Sequence, residues 1–268
     1  MLYLCATPIG NLEDMTFRAI RILREVDLIA AEDTRRTRKL LTHFEIHTPL
    51  IRFDENCKVT VAEKILERLK LGESVAVVSD AGLPAISDPG ADLVRLAIDA
   101  GITVCPIPGA NAALSALICS GLDTSKFLFA GFAPKTNKNR REFLEKLSMV
   151  EETLIFYEAP HRLKNFLEEL LEVLGDRQIV LARELTKVHE EFLRGTISEL
   201  IKSLEEPRGE FVVLIEGNKS AEPQPEGNLL EFYQTLLEQG LDKKSAMREA
   251  AKKFNVSRRE VYNLVVRN

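Results

Sequence analysis

The chain has 268 residues, 45% hydrophobic and 29% charged, with a formal net charge of −5, which is the balance of a globular protein with room for one large α/β domain or two smaller ones. No apolar run approaches the roughly 20 residues that span a bilayer, no basic-then-apolar leader opens "MLYLCATPIGN", and the negative total argues against indiscriminate nucleic-acid binding while allowing local basic patches. A cytosolic protein without a membrane partner is expected. Cys5, Cys57, Cys105 and Cys119 form no C-x-x-C pair, so they read as inert, small apolar side chains rather than disulfides or a zinc site. His43 and His47 are four residues apart, but no Glu or Cys completes a ligand set, so no metal is expected.

From the start, "LYLCAT", "DLIAA", "PLIRF", "SVAVVSD" and "ITVCPIP" read as strands. They alternate with amphipathic stretches of helical period, "MTFRAIRILREV", "TRKLLTHF", "VAEKILERLKLG", "ADLVRLAIDAG" and "NAALSALICSG". Strands apolar on both faces, separated by helices, predict a parallel sheet covered on each side. Gly72, Gly101 and Gly121 stand where helices should end, and Asp88-Pro89 reads as a helix start. This first α/β domain covers 1–121. A second, 122–217, contains the strands "FLFAGF", "ETLIFYEA", "RQIVLARE", "EEFLRGT" and "GEFVVLIEG" and the helices "HRLKNFLEELLEVLG" and "ISELIKSLEE"; the polar, basic "APKTNKNRR" reads as a boundary segment near its start. A Pro- and Gly-containing linker, 218–227, leads to a helical module, 228–268, whose pattern resembles a helix-turn-helix with Asn255 at the turn and Ser257 as the second N-cap.

Four loops at the carboxyl ends of the first five strands carry unusual chemistry: "ATPIGN", "AEDTRRTRK", "SDAGLPAISDPG" and "PIPGANA". In open parallel sheets ligands bind at this edge, where helix N-termini and free backbone groups converge. Glycine allows close approach and proline holds a loop in one shape, so four such loops on one edge point to a binding site. No G-x-G-x-x-G or G-x-x-x-x-G-K-[ST] follows any strand, which excludes the usual dinucleotide and P-loop sites. A small cofactor with ribose hydroxyls and an amino-acid moiety would need carboxylates, and Asp80 stands at a strand end to supply one.

The segments "ATPIGNL", "AAEDTRRTRKLL", "VSDAGLPAISDPG", "PIPGANAALSAL", "TLIFYEAPHRL" and "ARELTKVHEEFLRG", in order over residues 2 to about 217, closely resemble the small-subunit rRNA ribose methyltransferases of the tetrapyrrole methylase superfamily. The resemblance implies two α/β domains of that type with S-adenosylmethionine bound in the cleft between them, largely by main-chain groups, and the 2′-hydroxyl of a cytidine in the decoding region of small-subunit rRNA as acceptor. It implies donor contacts at Pro8 and Gly10; at Asp80, Ala81, Gly82 and Leu83; at Pro108, Gly109, Asn111 and Ala112; and at Tyr157. Members of the family mostly have threonine where this chain has Leu83, which removes one hydroxyl from the expected donor site. For the catalytic groups the residues leave alternatives open: Glu32, Asp33, Glu158, His161, Arg183, Glu184 and Lys187 are candidates, with Asp33 equally readable as an N-cap and Glu184 as a structural ion pair.

Three stretches, "TRRTRK", "KTNKNRR" and "KKSAMREAAKKFNVSRR", are the expected grips on RNA phosphates. A homodimer is the expected assembly. Two other readings stand beside this one: methylation of a tetrapyrrole precursor with the same cofactor, and a non-catalytic ribosome-assembly factor that binds RNA.

Overall fold

The strands of the first sheet are short and aliphatic: β1 (Leu2–Cys5), β2 (Leu28–Ala31), β3 (Leu50–Arg52), β4 (Val75–Val78) and β5 (Val104–Ile107). The computed structural model, which describes residues 1–55, 57–86, 90–219, 229–254, 256, 261–262 and 264–265, pairs them in the order β3-β2-β4-β1-β5, all parallel. β2 and β4 are buried at every position, as strands must be when helices cover both faces. Pro106 cannot donate a ladder hydrogen bond and accordingly lies on the edge strand, β5. Helices α1 (Phe17–Glu25), α2 (Thr34–His43), α3 (Lys58–Lys70), α4 (Gly90–Asp99) and α5 (Ala112–Ser120) follow the strands in turn. Ile22 and Leu23 of α1 and Leu41 of α2 pack on one face with Ile29, Ala31, Ala76 and Val78. Ile65 and Leu69 of α3 and Leu93 of α4 pack on the other face with Leu28, Ala30, Val75 and Val77. The period of two along β2 and β4 separates these two cores.

Gly72 and Gly101 follow α3 and α4 at φ 92° and 71°, and Gly121 ends α5 at 81°, a left-handed conformation that costs glycine least. Asp88-Pro89 lies outside the described residues.

The second sheet contains β6 (Phe127–Phe132), β7 (Thr153–Glu158), β8 (Gln178–Arg183), β9 (Glu191–Thr196) and β10 (Phe211–Ile215), in the order β6-β7-β10-β8-β9. Only β6 and β7 are parallel; the other pairs are antiparallel. Helices α6 (Asn137–Leu147), α7 (Pro160–Leu174) and α8 (Ile197–Ser203) cover one face through Leu144, Leu163, Phe166, Leu170 and Leu200. The other face, with Ile155, Val180, Ala182, Val212 and Leu214, packs on Ala113, Ala116 and Leu117 of α5. α5 thus lies on the second sheet through Ala113, Ala116 and Leu117, while Leu114 and Ile118 stay exposed.

Two expectations change here. "APKTNKNRR" is not all loop: α6 begins within it, and although residues 135–139 are exposed, Arg140 is only 6% exposed. Its Nε donates to Glu169 Oε2 at 2.6 Å and its Nη1 to the carbonyls of Pro134 and Lys135, so pairing with α7 lets a cation stay inside. Of the cysteines, all free, Cys5 is buried with its thiol pushed up to about 12 by desolvation, whereas Cys119 on α5 is exposed rather than a core residue.

Residues Met1–Asn218 form one compact unit and Lys219–Asn268 another. Within the second, α9 (Leu229–Glu238) and α10 (Lys243–Lys253) enclose a small core of Tyr233, Ala246, Ala250, Ala251 and Val261. Asp242 caps α10 by accepting from the N–H groups of Lys244 and Ser245. Asn255 and Ser257 of the expected helix-turn-helix lie outside the described residues.

Candidate active site

In the first sheet, β1 connects toward β2 on one side, and β4 connects toward β5 on the other. The crevice between β1 and β4 is thus the point where the winding reverses, which is where ligands bind in open parallel sheets. The loops leaving these strands are fastened together. Thr7 N–H donates to Gly82 O at 2.9 Å, Gly82 N–H donates to Thr7 O at 3.0 Å, and Thr7 Oγ1 donates to Ser79 O at 3.1 Å. Gly82 adopts φ 79° and Ala85 φ 68°. A left-handed alanine is strained, and such strain persists where the surroundings over-determine the loop.

A cavity of about 540 Å³ opens at this crevice, within the range of small-molecule sites. Of the expected donor residues, Asp80, Ala81, Gly82, Leu83, Asn111, Ala112 and Tyr157 line it. Pro8 and Gly10 line a smaller depression of about 230 Å³ instead, which shares Ser79, Asp80 and Arg36 with the main cavity. Pro108 and Gly109 line neither. Gly109 serves packing: a Cβ there would stand 2.8 Å from the Ala6 Cβ. Of the candidate catalytic residues, Glu32, Glu158, Glu184 and Lys187 line the cavity, and Asp33, His161 and Arg183 do not.

Several of these groups are already engaged. Asp33 is the N-cap of α2: its carboxylate accepts from Arg35 N–H at 2.8 Å and pairs with the Arg35 guanidinium, which holds it below the usual carboxylate range. The run "TRRTRK" is consequently the first part of a helix rather than a loop. Asp80 accepts from Asp33 N–H at 3.0 Å and pairs with Arg36 at 3.2 Å, so it also fastens the end of β4 to the start of α2. Both main-chain groups of Gly82 are used by Thr7, and Asn111 caps α5 by accepting from Leu114 N–H at 2.9 Å. Arg183 pairs with Glu191 across the β8–β9 hairpin at 2.8 Å.

The loop between β8 and β9 carries its own strain, with Glu184 at φ 51° and Thr186 at φ 66°. Lys187 Nζ donates to Glu184 Oε1 at 2.8 Å, and the same oxygen accepts from Glu210 N–H at 3.1 Å. The ammonium holds the Glu184 carboxyl below its ordinary range and is itself pushed up in return. Glu184 and Lys187 are thus a charged pair at neutral pH. Glu158, at the end of β7, is different. Its side chain is 1% exposed, and burial pushes its carboxyl above the ordinary glutamate range against the Ala159 N–H, Arg162, Arg140 and His161. Oε1 accepts from Ala159 N–H at 2.8 Å and lies 3.3 Å from Arg162 Nε; Oε2 has no hydrogen-bond partner among the described residues. A buried carboxylate oxygen without a partner is costly and calls for a functional explanation.

Sequence reasoning missed Arg36, Ile9, Ile86, Phe132 and the start of β10, Glu210–Val212, all of which line the cavity. The β10 residues arrive only because an antiparallel strand inserts between β7 and β8; no local motif signals this.

The arrangement is that of a two-sheet α/β enzyme with a cleft at the β1–β4 crevice, and comparison with known proteins agrees with this class. The family profile of tetrapyrrole (corrin/porphyrin) methylases matches residues 1–201, and the chain belongs to that family. It is an S-adenosylmethionine-dependent methyltransferase. Among similar curated proteins, "Ribosomal RNA small subunit methyltransferase I" of Halalkalibacterium halodurans is 49% identical over 98% of this chain and 93% of its own length. The proteins of that name from Bacillus subtilis and Synechocystis are 50% and 47% identical, each over 98% of this chain and over 93% and 96% of their own lengths. Two solved structures share the fold: uroporphyrin-III C-methyltransferase from Thermus thermophilus (TM-score 0.57, 20% identity, 80% of this chain and 93% of that one) and diphthine synthase (TM-score 0.61, 14% identity, 80% and 89%).

The cavity fits an S-adenosylmethionine donor on its own chemistry. Ile9, Leu83, Ile86 and Leu185 give it apolar walls, and four acidic residues, Glu32, Asp80, Glu184 and Glu210, stand against two cations, Arg36 and Lys187. That surplus of negative charge suits a sulfonium.

Proposed function

We propose that this protein methylates small-subunit rRNA, with the 2′-hydroxyl of a cytidine ribose as acceptor. The observation that carries the reading is identity of 47–50% over 98% of the chain to proteins named for that rRNA. The surface beside the cavity supports it. α2 contains Arg35, Arg36, Arg38 and Lys39 and no acidic residue, and no carboxylate among the described residues pairs with Arg38 or Lys39. Arg35, Arg38, Lys39 and His43 line an open groove on this helix, a charge pattern complementary to a phosphate backbone. The proposal places the protein with ribosomes in the cytoplasm.

S-adenosylmethionine supplies an electrophilic methyl group on a positively charged sulfur. Asp80, the backbone of Ala81–Leu83, Ala112 and Tyr157 are the proposed holders of that donor. In-line displacement requires the acceptor oxygen to be aligned and its proton removed, and alignment alone is worth about 7–11 kcal/mol. Glu158 is the proposed general base, because it lines the cavity, its Oε2 has no hydrogen-bond partner among the described residues, and its raised pKa brings it nearer the working pH than an ordinary glutamate. The Glu184–Lys187 pair keeps the β8–β9 loop in its strained form at the rim, and Lys187 remains a cation that can face a phosphate.

The test is transfer of label from S-adenosylmethionine to small subunits taken from cells lacking the enzyme, with the modified nucleotide mapped by mass spectrometry. Label on a cytidine ribose is expected; label on a base, or none, would sink the acceptor assignment. The proposal also gives the C-terminal unit a docking role. It carries Lys243, Lys244, Arg248, Lys252, Lys253, Arg258 and Arg259. Removing 228–268 is expected to leave donor affinity unchanged and weaken subunit binding, with a log–log salt slope shallower by about 0.7–0.9 for each phosphate that the unit neutralises. An unchanged slope would make the unit a packing element.

A homodimer is proposed as the working assembly. α5 exposes 77% of Ile118 and 46% of Leu114, apolar surface that a second copy would cover. Sedimentation should show a dimer, and Ile118→Asp a monomer; a wild-type monomer at micromolar concentration contradicts it.

A further inference from the structure

Phe132 is the last residue of β6, and an irregularity in the strand decides which way it faces. β6 pairs with β7 in register from Phe127↔Thr153 to Phe129↔Ile155, then skips Ala130 and resumes at Gly131↔Phe156 and Phe132↔Tyr157. Side chains alternate across a sheet with period two, so one extra residue exchanges the faces of everything beyond it. Without the bulge Phe132 would share a face with Leu154 and Phe156, in the core under α6 and α7. With the bulge it joins Phe129 and Tyr157 on the cavity side. Gly131 accommodates the distortion at φ 66°.

The outcome is a phenyl ring 58% exposed at the cavity wall. The ring is supported. Its centroid lies 5.5 Å from that of Tyr157 at 62°, and Tyr157 makes a second edge contact with Phe129 at 5.1 Å. Tyr157 is fixed in turn by its hydroxyl, which accepts from Ala113 N–H at the start of α5. A large apolar side chain turned out of an available core, braced from beneath and left open beside a cleft, has the geometry of a stacking platform. Exposed aromatic rings in this setting recognise unstacked nucleobases, which all present a π face.

We propose that Phe132 stacks on the acceptor nucleobase and so presents its ribose to the cavity. The inference rests on the reading of RNA as acceptor. Tyr157 and Glu158, at the end of the neighbouring strand β7, line the same cavity, so a base held on Phe132 places its sugar beside that cavity.

The experiment compares Phe132→Ala, Phe132→Leu and Phe132→Trp on unmethylated small subunits, with donor binding measured by calorimetry. Stacking on one base is worth about 1–3 kcal/mol, so Phe132→Ala is expected to lose roughly 5- to 150-fold in kcat/KM. Phe132→Leu should fall comparably, because it keeps apolar bulk and loses the π face. Phe132→Trp should stay within a few-fold of wild type, and all three should bind S-adenosylmethionine normally with an unchanged Tm. Full activity in Phe132→Leu or Phe132→Ala overturns the platform, and so does a parallel loss of donor affinity, which would assign the ring to the donor. Wild-type protein that fails to methylate the subunit overturns the rRNA reading itself, a result separate from any of these.

Discussion

Replacing Glu158 with glutamine is expected to lower kcat by about 10²–10⁴-fold, the range a positioned base supplies, without lowering the thermal midpoint at neutral pH. The substitution keeps the shape and an acceptor for the Ala159 N–H, and Arg162 retains its bonds to the carbonyls of Ala133 and Pro134. The sign of the stability effect follows from the raised carboxyl pKa, caused first by burial. A folded-state pKa above the unfolded value means the fold favours the protonated form, so that contribution is complete below the unfolded value of about 4.3 and is lost as pH rises through the folded one. Above the folded pKa the wild type has lost it, whereas glutamine has nothing to lose, so there the Tm of Glu158→Gln should equal or exceed that of wild type, the difference closing in acid. Activity runs the opposite way: the base works only when ionised, so the wild-type acid limb should lie above the ordinary glutamate range and disappear in the variant. Parallel loss of rate and Tm would return Glu158 to a structural role.

Gly10→Val should damage both donor affinity and stability. A Cβ at Gly10 would stand 2.7 Å from Lys187 Cγ, 2.8 Å from Thr186 Oγ1 and 3.0 Å from Leu185 O. The lysine can move, but the Leu185 carbonyl and the left-handed Thr186 belong to a strained loop with little freedom. Overpacking of this kind costs about 1–3 kcal/mol, or roughly 2–12 °C in Tm for a unit of this size. Leu185 and Lys187 line the cavity, so displacing them is expected to weaken S-adenosylmethionine binding by more than tenfold in calorimetry. Donor affinity equal to wild type would show that the loop's position does not shape the site.

The alternation of aliphatic strands and amphipathic helices by itself determined the first sheet, because strands buried on both faces must be continuous apolar runs and the helices between them must be amphipathic. It also marked the binding edge: glycine, proline and aspartate crowd the loops after β1, β4 and β5 for local backbone reasons that sequence expresses directly. Asp80, Leu83, Ala112, Tyr157 and Glu158 were all legible as residues of that edge or of the matching segments. What each group is free to do was not legible. Asp33 and Asn111 are used as caps, Gly82 is bonded to Thr7, and Glu184 is neutralised by Lys187, since these depend on partners brought near only by folding. Tertiary structure alone decided that β10 enters between β7 and β8 and carries Glu210–Val212 to the cavity. It alone decided the direction of Phe132, because one skipped residue reverses the faces of a strand whose composition is the same either way.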